Sequence, residues 1–218
     1  MMNVSQLENL ESSGEELVDL GLQPVSNRFL APNSLTEVPR FPLKLNICKN
    51  TGLVHLSKPF PVDELKPRYD WLTCFEPEAH LDDLAEKITR LPGINQDSVI
   101  GAYSFKDDST LQRLKNLGYN KTWCIDPAQD LDITDNCANV ETWQSVVTPA
   151  KSEKIRERYG AADVLVVRHV LEHAFNLPGF IQFIKLLIKP DGYIVWEIPD
   201  CERALGAGDC TTIWEEHI

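Results

Sequence analysis

Hydrophobic and polar positions follow two different rhythms along this chain. Near the start they alternate in short runs, clearest in Phe41-Pro42-Leu43-Lys44-Leu45-Asn46-Ile47, and a period of two predicts a strand with one buried face. Prolines at 24, 32, 39, 42, 59, 61 and 67 exclude long helices from the same stretch. Residues 1–67 are therefore read as a small β-rich module, with an apolar core drawn from Phe29, Phe41, Leu43, Leu45, Ile47, Leu53, Val54 and Leu56. From Asp70 to Leu91 the spacing becomes helical, through Leu72, Phe75, Leu81, Leu84, Ala85 and Ile88, and Pro92-Gly93 supplies a stop. Residues 68–93 are the expected connecting helix.

Residues 94–218 alternate apolar strands with amphipathic helices, the pattern of a parallel sheet covered on its faces. The fold class is α/β with a Rossmann-like sheet. Expected strands are Ser98–Tyr103, Lys121–Ile125, a third near Val140–Trp143, Ala162–Val167 and Tyr193–Ile198. Expected helices are Asp108–Leu117, ended by Gly118, then Ser152–Tyr159, and Leu177–Leu187, which a turn at Lys189-Pro190-Asp191-Gly192 follows.

Composition narrows the function. In 218 residues, 43% hydrophobic and 25% charged, the formal net charge is -12. Without a basic excess there is nothing to release counterions from nucleic acid, so a nucleic-acid partner is not expected. No apolar stretch reaches the roughly 20 residues of a membrane span, and the acidic start lacks a basic leader, so a cytoplasmic protein is expected. The cysteines at 48, 74, 124, 137, 201 and 210 form no Cys-x-x-Cys pair and read as free thiols.

Open α/β sheets bind ligands outside the carboxyl ends of their strands, so the strand exits carry the candidate chemistry. Asp126 ends one strand, where a carboxylate accepts hydrogen bonds from both hydroxyls of a ribose, or where Asp-Pro merely starts a turn. The first strand exits into Ser104-Phe105-Lys106-Asp107-Asp108-Ser109, where a nucleotide-binding fold normally has glycines. Gly101 lies inside that strand instead. Asp108 or Ser109 is expected to cap the following helix, and Lys106 is either a partner for a ligand carboxylate or a solvated lysine. A further strand exits into Arg168-His169-Val170-Leu171-Glu172-His173.

Residues 162–173 and 187–199 together resemble the late motifs of class I S-adenosylmethionine (SAM) dependent methyltransferases. Two N-terminal strings, residues 20–30 and 48–56, and the terminal Ile213-Trp214-Glu215-Glu216-His217 resemble the C-methyltransferases of nucleotide-linked keto-deoxysugars. That resemblance covers essentially the whole chain. It implies SAM as cofactor, with Gly101, Ser104, Lys106, Asp126, Arg168 and His169 in the cofactor site, and a small-molecule substrate of sugar-nucleotide type.

It also implies a base that removes the proton beside the sugar ketone, after which the enolate takes the SAM methyl. By position His217 is that base and Glu216 its partner, while His173 and Tyr69 line the sugar pocket. Trp214 takes the place of a tyrosine at the ketone, and Glu215 that of a histidine. Of the four zinc-binding cysteines of such proteins only Cys48 remains, with Thr51 in its partner's place, so neither zinc nor any other metal is expected. The resemblance further implies a C-terminal domain that this sequence does not contain. The alternative reading is an inactive methyltransferase fold kept for binding or scaffolding, and the oligomeric state is left open.

Overall fold

The computed structural model describes residues 14–26, 28–66, 77–135 and 138–209. The N-terminal module is a three-stranded antiparallel sheet of β1 (Gly14–Pro24), β2 (Arg40–Cys48) and β3 (Val54–Leu56), in that order. Register between β1 and β2 slips by one residue twice, at Glu16/Val18 and at Asp19/Leu22. Gly21 occupies the second slip with φ 70° and donates its amide to Asp19 Oδ1 at 2.8 Å, a left-handed position that suits glycine. Leu43, Leu45 and Leu56 are buried as the alternation requires, joined by Val25, Phe60 and, from the short helix α1 (Val62–Leu65), Leu65. Phe29, expected inside, is exposed. Phe175 and Leu205 from the C-terminal half pack on this cluster.

The second unit begins with α2 (His80–Thr89), which buries Leu81, Ala85 and Ile88. The first part of the expected connecting helix, with Leu72 and Phe75, lies outside the described residues. Next come β4 (Ile100–Ala102), a 3₁₀ turn at Phe105–Asp107, α3 (Asp108–Asn116), β5 (Thr122–Cys124) and α4 (Pro127–Leu131). They are followed by α5 (Val140–Trp143), α6 (Pro149–Tyr159), β6 (Ala162–Arg168), α7 (Leu177–Leu187), β7 (Ile188–Glu197) and α8 (Cys201–Ala207).

The four strands form one parallel sheet in the order β5-β4-β6-β7. On one face α2 and α3 pack Ala85, Ile88, Leu111 and Leu114 against Ile100, Ala102, Val164 and Val166. On the other, α6 and α7 pack Ile155, Phe180, Phe183 and Ile184 against Leu165 and Val167. Because β6 is covered on both faces it reads as an unbroken apolar run. This is a Rossmann-like sheet, preceded in the chain by a small antiparallel sheet. Among the described residues no helix is long and apolar enough to cross a membrane.

Two expected elements are corrected. Val140–Trp143 is helical, because burying Val140 and Trp143 together takes a spacing of three along one helix face. The expected turn at 189–192 is absorbed into β7 as a bulge. There Ala162 pairs with Ile188 and Val164 with Tyr193, so five residue steps on β7 answer two on β6. In addition α6 begins at Pro149, ahead of Ser152, since Thr148 Oγ1 accepts the Lys151 amide and proline suits the first turn.

Candidate functional site

In this sheet β4 has β5 on one side and β6 on the other, so strand order reverses at β4/β6, where ligands of open α/β sheets bind. The chain leaves β4 through a capping box. Ser104 Oγ accepts the Lys106 amide at 3.2 Å, while the amides of Tyr103 and Ser104 donate to Asp107 Oδ2 at 3.2 and 3.0 Å. That box caps the 3₁₀ turn; α3 starts at Asp108 with Asp107 at its N-cap position and no side-chain cap bond, so neither Asp108 nor Ser109 caps it. Ser109 instead donates its hydroxyl to Glu78 Oε1 at 2.7 Å. Asp107 is fully buried, and burial pushes its carboxyl up to about 7 against the opposing pull of the Ser104 amide and the Arg168 charge.

Gly101 does not open space for a ligand. A Cβ there would lie 2.5 Å from Trp123 Cζ2, so the missing side chain is filled by an indole from β5. Its glycine is a packing requirement of the sheet.

Arg168, at the end of β6 and 3% exposed, ties three strand exits together. Its Nε donates to Glu197 Oε2 at the end of β7, and its Nη1 donates to the Lys106 carbonyl beyond β4 at 2.5 Å. His169 follows with φ 51°, a left-handed conformation uncommon outside glycine, and donates its amide to the Glu197 carbonyl at 2.8 Å. Its ring Nε2 lies 3.2 Å from Glu197 Oε1, and Nδ1 lies 3.7 Å from Glu172. The same Glu197 oxygen meets His80 Nε2, from the first turn of α2, at 2.8 Å. Burial raises the Glu197 carboxyl, but the bond and charge of Arg168, helped by His169 and His80, carry it below the usual glutamate range. His173 is buried in the turn after β6.

Asp126 stands at the exit of β5 as the N-cap of α4. Its Oδ1 accepts the amides of Ala128 and Gln129 at 2.9 Å each, and its Oδ2 accepts Gln129 Nε2 at 3.0 Å. Asp130, buried one turn on, accepts the Asp126 amide at 2.8 Å and Arg158 Nη1 at 2.9 Å. The carboxylate that could meet a ribose thus already ends a helix, with lone pairs left over.

The structure brings Ser104, Lys106, Arg168 and His169 to the exits of the adjacent strands β4 and β6 and places Asp126 at the exit of β5. His217, Glu216, Trp214 and Tyr69 lie outside the described residues. Sequence reasoning left His80, Asp107 and Glu197 unassigned. Glu197 carried a usable signal, a charged residue at the end of an apolar strand, whereas nothing local marked His80.

For SAM the fit is partial. Asp126 retains acceptor capacity for ribose hydroxyls and Lys106 supplies a cation, but the β4-exit amides of Tyr103 and Ser104 are already bonded to Asp107. Residues 106–211 match the family described as a methyltransferase domain. Over those residues the chain is similar to methyltransferase domains. SAM is the methyl donor that such a domain implies.

Residues 11–65 match a family described as a putative zinc binding domain. Within that stretch Cys48 and His55 are the only cysteine and histidine. Structural zinc takes about four N or S ligands, so the residues present do not fit one. The chain is also 22% identical over 206 residues to C-methyltransferase NovU of Streptomyces niveus, an alignment that takes in 93% of this chain and 49% of that protein. It spans about half the length of this relative.

Proposed function

We propose that this protein is a SAM-dependent C-methyltransferase acting on a small carbon acid, a nucleotide-linked keto-sugar. The observation that carries the reading is that one similarity to a C-methyltransferase runs through both the N-terminal module and the methyltransferase domain. SAM, when bound, supplies an electrophilic methyl group. The chain's part is to hold the donor, orient the substrate and move a proton. Asp126 is the residue for the ribose, and Lys106 for the donor's carboxylate. The resemblance assigns proton removal to His217, oriented by Glu216, with His173, Tyr69 and Trp214 at the sugar.

A second reading rests on one specific observation. Arg168 satisfies Glu197 and the Lys106 carbonyl at once across the switch point, as it would in a fold kept for scaffolding. Isothermal titration calorimetry with SAM separates the two. The transferase reading expects saturable micromolar binding that Asp126→Ala weakens at least tenfold, whereas no binding at millimolar SAM supports the scaffold.

A further inference from the structure

Removing a proton beside a ketone requires a base whose imidazole is held in one orientation and has a nitrogen to spare. Among the described residues His80 meets both conditions. Glu197 Oε1 lies 2.8 Å from its Nε2, and the other oxygen of that carboxylate is held by Arg168 Nε. A carboxylate there favours the tautomer with its proton on Nε2, leaving Nδ1 as the acceptor. Nδ1 has no partner among the described residues, and the side chain is 51% exposed beside the exit of β7, where Glu197 stands. His169 differs, since carboxylates face both of its ring nitrogens. Its left-handed backbone nevertheless helps to bring the exits of β6 and β7 together, because the amide it turns inward donates to the Glu197 carbonyl.

We infer that His80 is an acid–base residue of the transfer site, with Glu197 as its positioning residue and Arg168 as the clamp on Glu197. The inference rests on the keto-sugar reading above. The C–H bond next to the ketone breaks, the proton passes to His80 Nδ1, and the electron pair is delocalised onto the ketone oxygen as an enolate. Return of a proton from the same nitrogen reverses the step. A ketone acidifies both neighbouring carbons, so His80 and His217 are not mutually exclusive as proton acceptors.

The half-reaction is read without a methyl donor, as deuterium uptake from D₂O by a nucleoside diphosphate keto-deoxysugar, followed by proton NMR. The unaltered chain is expected to exchange at least one proton beside the ketone. His80→Gln, at an exposed helix start where folding is not at stake, is expected to slow that exchange by about 10²-fold or more.

Glu197→Gln is expected to lower the rate with KM unchanged, and Glu197→Asp to recover part of it, which a purely structural carboxylate would not do. Undiminished exchange in His80→Gln, or a loss confined to His217→Gln, overturns the inference and leaves the keto-sugar reading standing. No exchange by the unaltered chain overturns both.

Discussion

Arg168 reaches across the switch point to Lys106, donating from Nη1 to its carbonyl at 2.5 Å while Nε is engaged by Glu197. One side chain therefore spans the exits of β4, β6 and β7, where an open sheet receives its ligand. Lysine has no planar fork and can serve only one of these acceptors well. Arg168→Lys is expected to lower stability by about 2 kcal/mol, the scale of a charge-assisted hydrogen bond lost from a buried site. Urea denaturation measures it, and an unchanged midpoint would show that the clamp contributes nothing to folding.

Asp107 sets a pH dependence with a definite sign. Burial raises its folded carboxyl to about 7, above the ordinary aspartate value of 3.8, so the folded state binds the proton more tightly than the unfolded chain. Stability from this group is full below about pH 4, declines as pH rises through the window from 4 to 7, and is flat above it. Asp107→Asn, which keeps an oxygen for the Tyr103 and Ser104 amides, is expected to remove that decline. Melts at half-unit pH steps test the point, and a variant curve parallel to the parent would contradict it.

Gly101 packs directly on Trp123. Adding one methyl places it 2.5 Å from the indole carbons in a sheet where neither partner has room to retreat. Gly101→Ala is expected to cost about 1–3 kcal/mol, as overpacked cores do. If Gly101 instead served a ligand, the alanine variant would melt like the parent and differ only in cofactor affinity.

Asp126 has a structural duty and a proposed ligand duty, and two substitutions tell them apart. Asp126→Ala removes the cap of α4 and is expected to cost about 1 kcal/mol along with SAM affinity. Asp126→Ser restores a capping oxygen, so its stability recovers while its affinity stays low. Equal affinity for SAM in Asp126→Ser and the parent would leave the residue as a cap alone.

Cys124 answers whether the thiol at the β5 edge is reactive. Burial first, then the charge of Asp108, pushes it up to about 12, so almost no thiolate exists near neutrality. Slow labelling by iodoacetamide at pH 8, accelerated on unfolding in urea, is the expected outcome, and rapid labelling of the native chain would contradict it.

Much of the architecture was written locally. The unbroken apolar run of β6 announced a strand buried on both faces, and the helical spacing of Leu81, Ala85 and Ile88 placed the buried face of α2. The alternation from Phe41 to Ile47 marked β2. Strand exits could be named before any strand was placed in order, which is how Ser104, Asp126 and Arg168 came into view.

The errors share a cause. Val140 to Trp143 is too short for periodicity to separate strand from helix, and burial against a preformed sheet decided it. Lys189-Pro190-Asp191-Gly192 has turn chemistry, yet pairing with β6 kept it in the strand as a bulge.

What the sequence determined by itself were the elements, their alternation and the residue types at their ends, because these follow from local propensity and hydrophobic period. What only the tertiary structure decided was who meets whom: Glu197 with His80, 117 residues apart, Arg168 with Lys106, 62 apart, and Trp123 against Gly101. Such meetings depend on strand order and on which helix covers which face. These are set by global burial and hydrogen-bond satisfaction, and no local pattern encodes them.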